Sequence, residues 1–536
     1  MSHSTVASPV NLFRFSPTVQ RDGSAIRLNP LAVQWDEVAL RRSIKKNLGR
    51  TQVIVVSDRQ PVSHEWVCGV VQPTHPASGL VTAVEPILRA CEGTWIAHGS
   101  GSADHEAVDS ADVWHAPPER GSYRLRRIWL TPNEELGYRH GFANSGLWPL
   151  CHLVQVRPTF EEADWEHYKQ VNLRFAEAVV SEARQPDPLV LIQDYHLALV
   201  PALLRNRLPR ATIVVFWHIP WTPSEQMGIC PWLPQLMEGL LGSDVVGFQT
   251  DQHSRNFLAT AERCGLKLRS SARHSIVGPA GRPTLIRDYP ISVAWPCSPE
   301  VASSSPEERP AAAGRQPTTF PAGSKLIVGV DRFDYTKGLL ERLRAIEHLL
   351  ENHPCWQGRL QLMQVASPSR MALAEYGSFR KRVFSEVSRI NQRFARNGVD
   401  PISLLDRHHD RSAVEALYRA ADVCLVTSLH DGMNLVSKEF VAARDDEHGV
   451  LILSEFAGAA QELDDALIVN PYHTAQVSEA IHRALTMPEA EQRQRMKALR
   501  ATVRSRNVYR WAAMLLDDAA QMRSHSMQAH SMVALG

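Results

Sequence analysis

Two basic side chains follow a short apolar run in the second half of the chain and could hold an anion. Arg332 and Lys337 stand five residues apart in VDRFDYTKG, directly after the strand-like residues 326–330. This spacing takes them across a strand-to-helix turn. Lys337 is predicted to begin the next helix, where backbone N–H groups also favour an anion. A planar guanidinium beside a compact ammonium suits a diphosphate. Solvated basic residues at a helix start are the alternative interpretation.

Two carboxylates stand at the ends of a second run, DGMNLVSKE, which covers residues 431–439. Its Asp-Gly pair predicts a tight turn, and Asn434 is expected to open a helix whose first N–H groups face the ligand. Asp431 and Glu439 suit sugar hydroxyls, because each carboxylate accepts two hydrogen bonds in fixed geometry. A helix cap for Asp431 and a surface charge for Glu439 are the alternatives.

The first half of the chain carries polar residues at the ends of its own apolar runs. Arg59, Asp194 and His218 each follow a run that predicts a buried strand, and Gly79 opens a predicted helix. Because parallel strands end at the same edge of a sheet, the three side chains are expected to lie near one another. A structural loop position is the alternative for His218, which precedes Ile-Pro.

These residues are positioned by repeated strand-like and helix-like segments. Short runs rich in Val and Ile alternate with longer amphipathic segments, which is typical of a parallel, doubly wound sheet. Two such series predict an α/β fold with two facing Rossmann-like domains and a ligand on each wall of the cleft between them. Strands are expected at Val53–Val56, Leu189–Ile192, Ile213–Trp217, Asp244–Phe248, Leu326–Val330, Leu360–Val365, Val423–Val426, Val450–Leu453 and Ala466–Val469.

Composition marks the domain boundaries. Residues 298–323 are rich in Pro, Ala and Ser, so they are expected to form a linker or a loose loop. Residues 1–50 are polar and are expected to be an irregular, solvated extension, with a binding tail as the alternative. The N-terminal domain is then predicted at 51–297 and the C-terminal domain at 324–488. Helices at 489–536 are expected to pack back on the N-terminal domain.

Charge and cysteine content exclude several classes of protein. The 536 residues suit two or three domains. Lys and Arg number 58 against 57 Asp and Glu, so the net charge of +1 gives no overall attraction to nucleic acid or a membrane. No apolar run is long enough for a membrane span, and the N-terminus lacks a secretory pattern. Eight scattered cysteines without a Cys-x-x-Cys pair predict reduced thiols in a cytoplasmic protein, with no zinc site.

Together these runs resemble the trehalose-6-phosphate synthases, the retaining glucosyltransferases of family 20. The resemblance covers nearly all of residues 51–522 and includes three further motifs, GFANSGLWP at 141–149, GFQT at 247–250 and LSEFAGAA at 453–460. It implies the GT-B fold. It also implies that the protein needs no metal ion or other cofactor.

The resemblance assigns donor roles mainly to the C-terminal wall. Arg332 and Lys337 would bind the donor diphosphate and stabilise its leaving charge in place of a metal. Glu439 would hold the ribose, and Gly79 would let the N-terminal loop approach the diphosphate without a side chain in the way. The implied donor-binding residues are Gly79, Arg332, Lys337, His409, Asp431, Gly432, Met433, Asn434, Leu435 and Glu439.

The resemblance places the acceptor on the N-terminal wall. Arg59 and Arg370 would bind the acceptor phosphate, while Trp148, Asp194 and His218 would line the acceptor and the reacting centre. The implied catalytic residues are Asp194, His218, Arg332 and Lys337, and the implied acceptor-binding residues are Arg59, Tyr138, Arg139, Trp148, Asp194 and Arg370.

The activity implied by the resemblance is transfer of glucose from UDP-glucose to glucose 6-phosphate, giving α,α-trehalose 6-phosphate and UDP. The leaving phosphate would help to take the acceptor's proton, with attack on the same face of the sugar. These small molecules would be its partners, with neither nucleic acid nor membrane expected and a homo-oligomer left open. Two alternatives stay open. One is another phosphorylated acceptor, such as glycerol 3-phosphate or a cyclitol phosphate, and the other is a catalytically silent sugar-phosphate sensor.

Several positions depart from the family pattern, mostly on the acceptor side. Arg139 aligns with the tyrosine that usually contacts the acceptor phosphate and is expected to add a cation to that site. His409 replaces an aromatic residue near the nucleobase, so uridine, guanosine and adenosine all stay open. The remaining departures are Ser78 for a glycine, His98 for a tryptophan and Ser292 for a glycine.

Overall fold

A computed structural model describes residues 34–75, 79–116, 122–269, 275–277, 281–295, 323–396 and 398–534, with residues 267–269 and 526–534 described by their backbone alone. Within this part of the chain, the residues from Trp35 onwards belong to one compact unit. Residues 1–33, Ser78 and most of the predicted linker, residues 298–322, lie outside the described residues.

Strands and helices alternate through the first half of the chain, as the sequence pattern predicts. The helices cover both faces of one large sheet, so strands such as Val53–Ser57 are buried along their whole length. In chain order the elements are α1 (Glu37–Leu48), β1 (Val53–Ser57), β2 (Ser63–Val67), β3 (Val70–Thr74), α2 (Gly79–Cys91), β4 (Thr94–His98), β5 (Val113–His115), β6 (Arg124–Ile128), α3 (Pro132–Glu135), a π-helical segment (Leu136–Leu147), α4 (Trp148–Cys151), α5 (Glu162–Glu182), β7 (Leu189–Gln193), a 3₁₀ turn (Tyr195–Leu197), α6 (Val200–Arg207), β8 (Thr212–Phe216), α7 (Ser224–Met227), α8 (Leu233–Leu240), β9 (Val245–Phe248), α9 (Asp251–Arg263), β10 (Lys267–Arg269), β11 (Ser275–Val277) and β12 (Pro283–Asp288).

The N-terminal sheet has the strand order β10-β11-β12-β9-β8-β7-β1-β4-β6-β5. Strands β12 to β6 are parallel, while β5, β11 and β10 are antiparallel additions at the two edges. Ser57, Gln193 and Phe216 lie side by side at the ends of β1, β7 and β8. The residues that follow them, including Arg59, Asp194 and His218, therefore meet at one edge of the sheet, as expected.

The second half of the chain builds a smaller sheet with the order β15-β14-β13-β16-β17-β18, parallel throughout. In chain order its elements are β13 (Lys325–Arg332), a 3₁₀ turn (Tyr335–Lys337), α10 (Leu339–Asn352), a 3₁₀ turn (Pro354–Trp356), β14 (Leu360–Ser367), α11 (Ala374–Phe394), β15 (Ile402–Leu405), α12 (Arg411–Ala420), β16 (Val423–Val426), α13 (Leu435–Ala443), β17 (Val450–Ser454), a 3₁₀ turn (Gly458–Gln461), β18 (Leu467–Val469), α14 (Thr474–Thr486), α15 (Glu489–Ser505) and α16 (Val508–Ala534).

The two C-terminal helices belong to different domains. Helix α15 packs on α13 and β17 of the C-terminal domain, whereas α16 packs on α1, α2, β8 and β9 of the N-terminal domain. The expectation that residues 489–536 all return to the N-terminal domain is therefore wrong for α15. Between α15 and α16 the chain returns to the N-terminal domain. There the Val508 N–H donates to the Val293 carbonyl at 2.9 Å.

The region predicted as an irregular extension contains a helix. Residues 37–48 form α1, whose N-terminus is capped by the Asp36 carboxylate. Leu40, Ile44 and Leu48 are four residues apart, so they share one helix face and are buried where α1 packs on α2 and α16. The expectation of a solvated extension is wrong for these residues, because three apolar residues that recur once per helical turn give α1 a face that packs on the domain.

None of the helices in the described ranges has the length and apolar character to cross a membrane. The cysteines within these ranges, at positions 68, 91, 151, 230, 264, 355 and 424, are all free thiols.

Helix α1 is expected to contribute to stability through its buried face. The Leu40 side chain is 0% exposed, so Leu40→Ala should lower the free energy of unfolding by about 2 to 5 kcal/mol through lost burial and a cavity. Denaturant unfolding measures this. Val38→Ala, at a side chain that is 64% exposed on the same helix, is the matched control and should match the wild type. Equal stability of both variants would show that α1 does not dock in solution.

Candidate active site

Asp334 organises the turn that follows β13. Its Oδ1 accepts hydrogen bonds from the Thr336 N–H at 3.0 Å and from the Thr336 hydroxyl at 2.9 Å. The turn ends at Gly338, whose φ of +65° leads into α10 and where a side chain would collide with the Thr427 carbonyl. Lys337 therefore lies in a 3₁₀ turn before the helix, and the prediction that it begins the helix is wrong.

Lys337 and Asp431 form an ion pair with an Nζ–Oδ2 distance of 2.6 Å. The same Oδ2 also accepts hydrogen bonds from the Ser428 hydroxyl and the Asn434 amide, both at 3.2 Å. Burial alone would raise the pKa of Asp431, but Lys337 outweighs burial and the pKa is lowered. Oδ1 of Asp431 receives no hydrogen bond from any described residue, so it is open to a ligand.

Asn434, and not Asp431, caps the helix of the second run. Its Oδ1 accepts from the Ser437 N–H at 3.0 Å at the start of α13. Glu439, one turn further into α13, is half-buried, and the Tyr418 hydroxyl lies 3.4 Å from its Oε2. Burial raises the pKa of Glu439. The alternatives of a cap for Asp431 and a surface charge for Glu439 are therefore wrong.

His409 precedes α12 and is half-buried. Its Nε2 is buried and has no hydrogen-bond partner among the described residues. Burial lowers the pKa of His409, and the neighbouring Arg407 lowers it further. A neutral imidazole with an unpaired nitrogen can bond to a nucleobase edge.

On the N-terminal wall, Asp194 lies directly after β7 with a φ of +73°. Its Oδ1 accepts from the His218 N–H at 3.1 Å, and burial raises its pKa to about 6. The His218 Nε2 lies 2.9 Å from the Gln193 amide oxygen, so Nε2 carries the hydrogen and Nδ1 is unprotonated. Burial lowers the pKa of His218 to about 3, so its imidazole is neutral near pH 7.

The two walls are in contact at their glycines. A Cβ on Gly432 would lie 2.4 Å from the His218 carbonyl oxygen, and a Cβ on Gly79 would lie 2.3 Å from the Leu435 Cδ1. These contacts bring Asp431 and the start of α13 against Asp194 and His218. The predicted donor and acceptor residues thus face each other across one cleft.

Arg370 bridges the two domains. Its Nε donates to the Asn144 amide oxygen at 2.9 Å and its Nη1 to the Asp334 carboxylate at 2.7 Å. Further bonds reach the hydroxyls of Tyr195 and Tyr376, so four of its five N–H groups are used. That Arg370 serves an acceptor phosphate stays a prediction, and one of its N–H groups is available to a ligand without breaking these bonds.

Two arginines of the cleft, Arg332 and Arg370, lie over the ring of Trp148. The guanidinium of Arg370 lies 3.8 Å from the ring centroid and that of Arg332 lies 5.4 Å from it. The guanidinium groups of Arg332 and Arg59 have no hydrogen-bond or ion-pair partner among the described residues. The surrounding protein, Arg332 and Arg370 lower the pKa of Arg59 to about 10. Two unpaired cations beside a third make an electropositive site for an anion.

Two predicted acceptor residues, Tyr138 and Arg139, have their side chains engaged within the protein. The Tyr138 side chain is 0% exposed and packs near Tyr168 and His196, so it cannot touch a substrate in this arrangement. Arg139 is bound to Asp58 by three hydrogen bonds and pairs with Glu135. The prediction for Tyr138 is wrong in this structure, because its side chain is wholly buried within the π-helical segment. The prediction that Arg139 serves a phosphate stays a prediction, although its guanidinium already has carboxylate partners.

Three site residues without a glycine's freedom adopt positive φ angles. They are Asp194 at +73°, Asn434 at +77° and Arg370 at +48°. Such a backbone costs about 1 to 3 kcal/mol at each position and persists where the surrounding structure fixes it.

In the described parts of the chain, no group of three or more His, Cys, Asp or Glu side chains is arranged to hold a metal ion.

Comparison with known proteins shows the family of the chain. The profile of Glycosyltransferase family 20 matches residues 51–521. A trehalose-6-phosphate synthase of Mycolicibacterium gilvum is 37% identical over 493 residues, covering 90% of this chain and 96% of the relative. One of Mycobacterium avium is 38% identical over 490 residues, covering 90% and 98%. The chain belongs to glycosyltransferase family 20.

Solved structures of family 20 proteins also match. A UDP-forming α,α-trehalose-phosphate synthase of Burkholderia vietnamiensis has a TM-score of 0.76 and 32% identity over 88% of this chain and 98% of its own. An E. coli structure bound with UDP-2-fluoro glucose has a TM-score of 0.76 and 32% identity over 88% and 99%. A Burkholderia xenovorans structure in complex with glucose-6-phosphate has a TM-score of 0.75 and 34% identity over 87% and 99%. The two facing sheets are those of the GT-B fold.

Family motifs contained further site residues that sequence reasoning did not single out. Asp334, Asn144 and Tyr195 all lie within or beside quoted runs, yet each acts through Arg370, which is distant in sequence. The sequence shows these residues, but it does not show that they bond to Arg370 across two domains.

The raised pKa of Asp194 makes stability depend on pH. Its folded pKa of about 6 exceeds the ordinary 3.8, so the folded protein binds this proton more tightly and loses stability as pH rises from about 4 to 6. We expect Asp194→Asn to raise the melting temperature at pH 7.5 and to approach the wild type near pH 4.5. Thermal unfolding across this range measures the effect.

The exposed Asp464→Asn variant is the matched control and should follow the wild type at every pH. A melting temperature for Asp194→Asn below that of the wild type at pH 7.5 would contradict the prediction.

Proposed function

We propose that this family 20 protein transfers glucose from UDP-glucose to glucose 6-phosphate, forming α,α-trehalose 6-phosphate and UDP. The observation that carries the proposal is the contact of Gly432 with the His218 carbonyl. It puts the Lys337–Asp431 pair opposite Asp194, as a transfer between two bound sugars requires. The relatives named as trehalose-6-phosphate synthases support the same activity.

The donor is proposed to lie on the C-terminal wall. Arg332 and Lys337 would bind the diphosphate, and they would stabilise the negative charge that develops as the glucose–phosphate bond breaks. The open Oδ1 of Asp431 would accept from a glucose hydroxyl, and Glu439 would accept from the ribose. Gly432, Met433, Asn434 and Leu435 would line the glucose, Gly79 would face the diphosphate, and His409 would lie near the base.

The acceptor is proposed to lie on the N-terminal wall. The guanidinium of Arg59, which has no partner among the described residues, would bind the phosphate of the acceptor. Trp148 and Arg370 would shape the same end of the cleft. Asp194 and His218 would hold the acceptor hydroxyl near the reacting carbon. We propose same-face attack, with the leaving phosphate taking the proton, so no covalent enzyme intermediate forms.

The reaction is proposed to need no metal ion, and its place is proposed to be the cytoplasm. The two site cations supply the charge that a metal would otherwise provide. The free thiols of the described cysteines suit a reducing compartment. A homo-oligomer stays open.

Arg332→Ala tests the diphosphate site. We expect kcat to fall by about 100- to 1,000-fold, the effect of removing one donor that stabilises transition-state charge, with little change in melting temperature. The control Arg382→Ala removes an exposed cation from α11 and should leave kcat unchanged. Equal loss of folding and activity in Arg332→Ala, or loss of wild-type activity in EDTA, would contradict the proposed role.

A matrix of donors and acceptors tests the activity itself. UDP-, GDP- and ADP-glucose are combined with glucose 6-phosphate, glycerol 3-phosphate and a cyclitol phosphate, and nucleotide release and product mass are measured. We expect UDP release with glucose 6-phosphate to dominate. Turnover with another acceptor alone would overturn the product assignment, and tight acceptor binding in calorimetry without any turnover would indicate a sensor.

A further inference from the structure

Asp58 and Arg139 form a nearly buried ion pair beside the proposed acceptor site. Asp58 is 5% exposed and Arg139 has a side chain that is 17% exposed. The Arg139 Nε lies 3.1 Å from Asp58 Oδ2 and 3.3 Å from Oδ1, and Nη2 lies 2.9 Å from Oδ1. Arg139 is thus held by both oxygens of one carboxylate, which is the geometry of a strong pair.

Two further side chains complete the environment of Arg139. Glu135, one turn earlier in the chain, pairs with its Nη1. The His98 Nδ1 lies 2.7 Å from its Nη2. A guanidinium only donates hydrogen bonds, so this nitrogen is an acceptor and His98 is neutral. Two positions that depart from the family pattern, 98 and 139, therefore act as one unit around Asp58.

The position of Asp58 makes its charge matter for an anionic ligand. It directly precedes Arg59, and its Oδ2 lies 4.0 Å from the Nε2 of His196, a buried ring that stacks near Tyr195. Tyr195 in turn binds Arg370. An unpaired carboxylate here would weaken the positive field of Arg59 and repel a phosphate.

We propose that Arg139 does not bind the acceptor phosphate and instead serves as a positioning residue that cancels the charge of Asp58 and fixes the turn carrying Arg59. The inference rests on the proposed function, because it concerns the phosphorylated acceptor. It explains why the cation expected to join Arg59 is engaged elsewhere. Affinity for the acceptor then depends on the pair at positions 58 and 139, and on neither residue alone.

A double-mutant cycle tests the proposal with wild type, Arg139→Tyr, Asp58→Asn and the double variant. The measured quantities are KM for the acceptor and kcat at saturating UDP-glucose, with glucose 6-phosphate as the first acceptor. We expect Arg139→Tyr to raise this KM by about tenfold or more, since a buried carboxylate is left unpaired near the phosphate. Asp58→Asn, which keeps the shape and removes the charge, should restore KM in the double variant to within about threefold of wild type.

Direct phosphate binding by Arg139 gives a different result, and it would overturn the proposal. The double variant would then keep the raised KM of Arg139→Tyr, and Asp58→Asn alone would lower KM by releasing the guanidinium. Melting temperatures and KM for UDP-glucose show whether a variant is merely unfolded. If Arg139→Tyr does not fold, Arg139→Gln replaces it.

Turnover by the wild-type protein distinguishes failure of the proposed function from failure of this inference about Arg139. If the wild type shows no turnover with glucose 6-phosphate, the proposed function fails. The cycle is then measured by calorimetric binding of glucose 6-phosphate and glycerol 3-phosphate, for which the same restoration in the double variant is expected.

Discussion

The carboxylate of Asp334 holds the proposed donor and acceptor sites in one arrangement. It is fully buried, and its two oxygens serve different sites: Oδ1 caps the turn that carries Lys337, while Oδ2 binds Arg370. Burial would raise the pKa of Asp334, but Arg370 and the other nearby cations lower it to about 2, so it stays ionised. Because Arg370 also bonds to Asn144 and Tyr195, the charge of one side chain links the turn that carries Lys337 to the opposite domain.

The cations of this cleft fall into two groups, those paired with a carboxylate and those without such a partner. Lys337, Arg370 and Arg139 have carboxylate partners, whereas Arg59 and Arg332 have none among the described residues. Paired cations keep their positions without a ligand, and unpaired ones retain full attraction for a phosphate. Family 20 membership explains which residue types are present, but these pairings decide what each of them can do.

The fold and the residues of the site were largely readable from the sequence, because buried parallel strands and Gly-rich turns have strong local signatures. Arg332, Lys337, Asp431, Asp194 and His218 all lie at the cleft. Other features depend on contacts between distant segments. The antiparallel edge strands and the β2–β3 hairpin are short and have weak local patterns. The docking of α1 depends on α16, which is distant in the sequence. Tyr138 is buried within a π-helical segment, and no local sequence pattern predicts that conformation.

The backbone hydrogen bond between Val508 and Val293 joins the start of α16 to the end of the described part of the N-terminal domain. Both residues are buried, at 0% and 4% exposure. A buried hydrogen bond at this edge holds the start of α16 against the N-terminal domain, so a swing of the C-terminal domain about this edge disturbs fewer contacts than a sliding motion would. Opening of the cleft to admit a sugar nucleotide would therefore widen the far rim most and disturb the α16 side least.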